Sequence, residues 1–237
     1  MVTLLCIVSG SLDAISFLAF GEAFGEAFAS VMTGNIVFMG VAAGTLNSRL
    51  GLFCGVAIAG YVIGVLSGSR LAHRWKRQSE RAVWPARVTK ILVVQFGVLS
   101  IVAVMWFVVD GEPSEQAELL FLLPAACIMG IQSAAVRAIG VPVSTTYMTG
   151  ALTTLLEAIV TRRPFSSTES SAVGGILALA TGALFGSLVL TFFSPAAMLV
   201  PTVTLGTVIL IWMLRDGTDR PTTVSGVISK DLGTAEK

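Results

Sequence analysis

Ser9-Gly10-Ser11-Leu12-Asp13-Ala14, followed by Met32-Thr33-Gly34-Asn35, returns later in the chain as Met129-Gly130-Ile131-Gln132-Ser133-Ala134, followed by Met148-Thr149-Gly150-Ala151. The glycine-to-methionine spacing is 22 residues in the first passage and 18 in the second. The extra length has a visible source, because Gly21-Glu22-Ala23-Phe24 is copied at once as Gly25-Glu26-Ala27-Phe28. Downstream of each passage comes a run with glycines four apart: Gly60, Gly64 and Gly68 in the first, Gly182 and Gly186 in the second. Small residues at that spacing let helix backbones pack closely inside a membrane. Order and spacing recur together, so the chain reads as two related halves, residues 1–110 and 117–214.

The environment of those halves follows from composition. Of 237 residues, 54% are hydrophobic and 12% charged. A soluble domain carries about a quarter charged residues, so this chain cannot build a water-facing surface. With a net charge of +1 it shows no excess positive charge for a nucleic acid. An integral membrane protein remains, with the lipid bilayer as its solvent. Uncharged runs separate its charges: 27–48, 50–69, 91–109, 119–136, 138–156 and 170–214. The last is long enough for two crossings, broken at Pro195 and Pro201, since proline cannot continue helical hydrogen bonding. With the opening run, Val2 to Phe20, there are eight hydrophobic segments. Residues 215–237 form a polar tail expected to be flexible. Cys6, Cys54 and Cys127 all lie in apolar stretches and read as packing residues rather than a disulfide or metal set.

Seven of the fifteen basic residues (Arg70, Arg74, Lys76, Arg77, Arg81, Arg87 and Lys90) fall between the third and fourth segments. The positive-inside rule makes this 70–90 loop cytoplasmic. Eight full spans would then send both Arg162–Arg163 and the Arg215/Arg220 tail outside. If the second and sixth segments instead enter and leave on one face, both clusters are cytoplasmic and only Arg49 is misplaced. Local sequence agrees. Val141-Pro142-Val143-Ser144-Thr145-Thr146-Tyr147 is a poor helix start in lipid, and the helix-forming Gly150 to Val160 reaches only about 16 Å at 1.5 Å per residue. Asn35 to Leu46 is similarly short. The predicted fold is all-α: a polytopic helical membrane protein of two repeats with three crossings and one re-entrant half-helix each. Three is odd, so the repeats are inverted. Eight full spans is the alternative.

The Gly-x-x-Asp-Ala start, the Met-Thr-Gly-Asn motif, the Gly-x-Gln-x-Ala segment and Thr145-Thr146-Tyr147-Met148-Thr149-Gly150 resemble the YoaK-like family across residues 4 to 214. These are bacterial integral membrane proteins of unknown function, usually described as six-helix. The resemblance implies a multi-pass protein of the bacterial inner membrane and supplies no activity. Ser133 departs from the family, which commonly has Asn there, and the Gly-Glu-Ala-Phe duplication lengthens the first half.

Asp13 is the most informative residue. An acid near mid-helix costs roughly 2.5–3.5 kcal/mol on insertion scales, so it must face a polar interior. It reads either as a proton, cation or substrate site, or as a carboxylate that caps a broken helix or pairs with Arg137. Arg137 ends its segment, where snorkelling to the interface is the plainer role. Gln132 and Ser133 occupy the repeat positions of Leu12 and Asp13 and offer neutral hydrogen-bonding groups. Half-helices starting near the midplane would present free N–H groups and positive dipole ends. Thr33, Gly34, Asn35, Thr149 and Gly150 would line that spot.

Enzyme chemistry is not expected. The lone histidine, His73, lies in the basic loop, so a serine–histidine pair at membrane depth has no base. Asp13 has no acidic partner for an aspartyl mechanism, and no His/Cys cluster is spaced for a metal. No cofactor is implied. The basic loop, with Trp75 and Trp84, reads as a lipid-facing segment rather than a nucleic-acid site. The expected function is a small secondary transporter that moves an unidentified small solute through a midplane site, as a monomer or homodimer. A passive channel and a non-transporting membrane scaffold or regulatory subunit are the alternatives. In the scaffold reading, Gly60, Gly64 and Gly68 form a docking face.

Overall fold

The computed structural model describes residues 2–20, 27–74, 86–139 and 148–218. Most of the duplicated Gly-Glu-Ala-Phe stretch, the Val141–Tyr147 run, Trp75, Trp84 and the tail beyond Thr218 lie outside the described residues. Those described form α1 (Val2–Ala19), α2 (Met32–Thr45), α3 (Ser48–Arg74), α4 (Ala86–Val108), α5 (Glu115–Ile139), α6 (Met148–Val160), α7 (Ser167–Phe192) and α8 (Leu199–Thr218). A 3-10 turn, Ser194–Ala196, joins the last two. No strand occurs among the described residues.

Six helices (α1, α3, α4, α5, α7 and α8) are long and apolar enough to cross a membrane. The other two, α2 and α6, have 14 and 13 residues. At 1.5 Å per residue they reach about 20 Å, short of the roughly 30 Å hydrocarbon core. The helix ends follow the local chemistry. Pro195 lies in the turn after α7, and Pro201 in the first turn of α8, where a missing N–H costs least. Ser166 caps α7 by accepting the Glu169 amide, while the Glu169 carboxylate accepts the Ser166 N–H at 2.8 Å. That carboxylate also pairs with Arg163. The basic segment is shorter than the charge pattern implies. Helix α3 runs on to Arg74 and α4 starts at Ala86, so Arg70, His73, Arg74, Arg87 and Lys90 belong to helix ends.

The tightest packing is between helices from opposite halves. Helix α3 lies along α5, and α1 along α7, each pair through glycine. A Cβ placed on Gly64 would meet the Cys127 carbonyl oxygen at 2.0 Å, and one on Gly182 the Ile7 carbonyl oxygen at 2.2 Å. From the other side, Gly130 faces the Tyr61 carbonyl at 2.2 Å and Gly10 the Leu179 carbonyl at 2.0 Å. Advancing the α1 residues by 120 and the α3 residues by 118 converts each contact into its counterpart. Gly60 and Gly68 extend the first seam along α5, and Gly186 extends the second against Ser11. The remaining neighbours obey the same exchange. Helix α2 packs on α3 as α6 packs on α7, α4 meets α5 as α8 meets α1, and α4 meets α8.

At one end of the bundle, Trp106 near the end of α4 touches Phe20 just past α1 and Phe121 near the start of α5. Its indole N–H donates to the Ser194 carbonyl after α7 at 2.8 Å. Arg49, the basic residue that the charge pattern misplaces, bonds Glu118 at 3.0 Å and covers the Phe53 ring. Large apolar side chains such as Ile101, Val104 and Leu184 point outward, as expected of a surface solvated by lipid.

Candidate functional site

The candidate residues fall into three groups. The first surrounds Asp13, which is buried in α1. Ser30 donates its backbone N–H to Asp13 Oδ1 at 2.6 Å and its hydroxyl to Oδ2 at 2.5 Å. These donors sit on the segment that leads into α2. Asp13 therefore supplies the acceptor for the chain just ahead of a short helix, which removes the cost of leaving that amide and hydroxyl unpaired in an apolar interior.

Asn35 holds the same segment from the other side. Its Oδ1 accepts the Phe28 amide at 2.9 Å and its Nδ2 donates to the Phe28 carbonyl at 2.8 Å. The Phe28 ring stacks between Phe17 of α1 and Phe38 of α2. Gly34 sits beneath it, where a Cβ would lie 3.3 Å from the ring. Thr33 is exposed. Of the first-half candidates, Asp13 and Asn35 are thus committed to fixing the chain ahead of α2.

The second group centres on Gln132. Its Nε2 donates to the Leu5 carbonyl and to Ser9 Oγ, both at 3.0 Å, and its Oε1 accepts from Gln95 Nε2 at 3.0 Å. All these side chains are buried. Ser133, at the repeat position of Asp13, accepts the Tyr61 hydroxyl at 2.8 Å.

The third group is the start of α6. Thr149 is exposed and Gly150 half-buried, and their carbonyls accept the hydroxyls of Thr153 and Thr154. Met148 reaches Gly175 of α7. Arg137 is exposed near the end of α5. The two starts are not chemical twins: Asp13 and Asn35 correspond to Ser133 and Ala151, so the second half lacks both anchors.

Sequence reasoning missed Ser30, Gln95 and Tyr61. Gln95 was detectable, since it is a buried amide inside the uncharged 91–109 run. Ser30 carried no signal of its own, because its role depends on a carboxylate 17 residues away.

The chain matches the family described as Protein of unknown function (DUF1275) over residues 1–211. It is 30% identical over 181 residues to the UPF0700 transmembrane protein YoaK of Bacillus subtilis (strain 168), covering 72% of this chain and 71% of that one. No solved structure matches it. With the family pattern running through nearly all of the helical bundle, the chain is a multi-pass transmembrane member of the DUF1275 family.

Proposed function

We propose that the protein is a small secondary transporter built from two inverted repeats, residues 1–110 and 117–214, each with three crossings and one half-helix. The observation that carries this reading is the exchange of contacts between halves, in which each glycine seam has its counterpart. Inverted repeats with broken helices at a midplane site are a recurring transporter plan. The end cluster around Trp106 supports six crossings over eight. If α2 and α6 are half-helices, the ends of α1, α4 and α7 emerge on one face, which lets Phe20, Trp106 and Ser194 meet. With eight crossings the end of α4 would lie on the opposite face from the other two.

Asp13 is the coupling group in this reading. Protonation would weaken its hold on Ser30 and free the chain ahead of α2. The solute sits between the half-helix starts, on the side of Thr149 and Gly150, where the helix dipole has no carboxylate corresponding to Asp13. That asymmetry favours a carboxylate or another small anion.

The test is proton movement in proteoliposomes loaded with pyranine and offered succinate, glutamate or chloride. The expected result is saturable, substrate-dependent proton movement that Asp13→Asn abolishes. Flux without saturation or dependence on the proton gradient would favour a channel. A stoichiometric co-purifying partner together with no proton movement would favour the scaffold.

A further inference from the structure

The end of α3 gathers basic groups that its neighbours do not offset. Arg70, His73 and Arg74 are spaced three and four apart, which puts them on one helix face within a turn, and all three are exposed. Like charges four residues apart repel, and the adjoining helices add to that repulsion. Along the α3/α5 seam Gly60 meets Leu123, Gly64 meets Cys127 and Gly68 meets Ala134, so the two helices run parallel. Continuing that register puts Arg70 and Arg74 at the level of exposed Arg137. Helix α4 runs the other way, since Gln95 bonds Gln132 and Trp106 meets Phe121. Exposed Lys90, five residues before Gln95, is therefore level with Arg137, five residues past Gln132.

Carboxylates on these helices are elsewhere. Helices α3 and α4 contain no Asp or Glu, and the acids of α5, Glu115 and Glu118, lie near its opposite end. The ion pairs between described residues are Arg49–Glu118 and Arg163–Glu169, which involve none of these basic groups. Toward the middle of α3 the same face turns apolar and stays exposed. Leu66 and Ile63 precede Arg70 by four and seven residues and are 49% and 55% exposed. A free anion would use only the basic turn. An amphiphile with an anionic head and a hydrocarbon chain would use both parts of the face. Guanidinium groups suit phosphate oxygens in particular, through paired N–H donors.

We infer that the Arg70–His73–Arg74 face is a binding site for an anionic phospholipid. The two guanidinium groups and the imidazole hold its phosphate, and an acyl chain lies along Leu66 and Ile63. Basic residues at the membrane end of a helix meet lipid headgroups at this depth. Lys90 and Arg137 add attraction from the same level without belonging to the phosphate contact. The site is separate from the transport reading, so a flat proton-movement assay leaves it standing.

Native mass spectrometry of the full-length protein in detergent tests it, by resolving the binding of the first added lipid. The probes are phosphatidylglycerol and phosphatidylcholine with identical chains. The expected result is a preference for phosphatidylglycerol that Arg70→Gln and Arg74→Gln each lower about five-fold, the effect of one basic residue near a membrane surface. Lys90→Gln combined with Arg137→Gln removes two charges at the same level and should lower the preference less than either single change. Glycerophosphoglycerol, the same headgroup without chains, should compete more than about ten-fold more weakly than the lipid, because it leaves the apolar stripe uncovered. The inference is overturned if the parent shows no preference, or if neither arginine change lowers it. It is equally overturned if the Lys90/Arg137 pair lowers it as much, which would mean diffuse attraction without a site. Competition by the soluble headgroup equal to that of the lipid would also overturn it, by leaving Leu66 and Ile63 no part. Arg70 and Arg74 are changed singly, so loss of folding in one chain does not remove the test.

Discussion

Gly64→Ala and Gly182→Ala are each expected to lower the thermal unfolding midpoint sharply and by similar amounts, while Gly40→Ala and Gly55→Ala leave it unchanged or raised. The first pair would drive a methyl group to within 2.0 and 2.2 Å of backbone carbonyl oxygens on the facing helix. Backbone cannot turn aside as a side chain can, so the helices must separate. Overpacking costs about 1–3 kcal/mol in ordinary cores, and these contacts belong at the upper end. Alanine offsets roughly 1 kcal/mol through helix propensity. Gly40 and Gly55 have open space where a Cβ would go, so only the propensity gain applies there. Detergent-solubilised protein followed by intrinsic fluorescence gives the midpoints. Equal losses at Gly64 and Gly182 would also support their equivalence. A collapse at one and silence at the other would contradict it.

The second large effect is at Asp13. Asp13→Leu removes the acceptor for the Ser30 amide and the Ser30 hydroxyl, leaving two buried donors unpaired. Hydrogen bonds to a charged group contribute about 1.5–3 kcal/mol each, and an orphaned donor costs a further 1–3. The expected loss is several kcal/mol, concentrated in the segment ahead of α2 rather than in the glycine seams. Asp13→Asn keeps one acceptor oxygen but turns an amide toward facing donors, so it should fall between. Hydrogen–deuterium exchange reads this directly. Residues 27–31 should lose protection in Asp13→Leu while α3 and α5 keep theirs. Unchanged protection at 27–31 would mean that the carboxylate does not hold this segment.

These two sites mark the boundary of what the sequence makes legible. The glycine seams were readable because helix geometry turns a spacing of four into one face, and lipid leaves close packing as the main reason to place small residues there. The short helices were readable because proline, hydroxyl residues and the positions of charges limit how far a helix can extend. Asp13 was readable as a buried acid, but its partner was not. A capping segment is recognised by where its amides fall in space, and nothing in Ala27-Phe28-Ala29-Ser30-Val31 states that. The Asn35–Phe28 pair has the same character. It closes a loop of seven residues through a side-chain amide that the motif Met-Thr-Gly-Asn offered equally well to a ligand. Arg49 was unreadable for a different reason. Its partner, Glu118, stands 69 residues away in the sequence.

Ser133 shows that a repeat can keep geometry while changing chemistry. Its backbone position corresponds to that of Asp13, yet it bonds Tyr61 on α3. The packing scheme thus survives with different polar contacts, and the starts of the two short helices, α2 and α6, differ in chemistry.

Impermeant-thiol labelling of intact cells, with single cysteines at Ser48 or Thr161 in a cysteine-free chain, decides the arrangement of the halves. Both positions are exposed, Ser48 after α2 and Thr161 after α6. Inverted repeats with two half-helices require labelling at Ser48 and protection at Thr161 until the membrane is permeabilised. Labelling of both from outside would mean eight crossings with parallel halves, and the midplane site between half-helix starts would be lost.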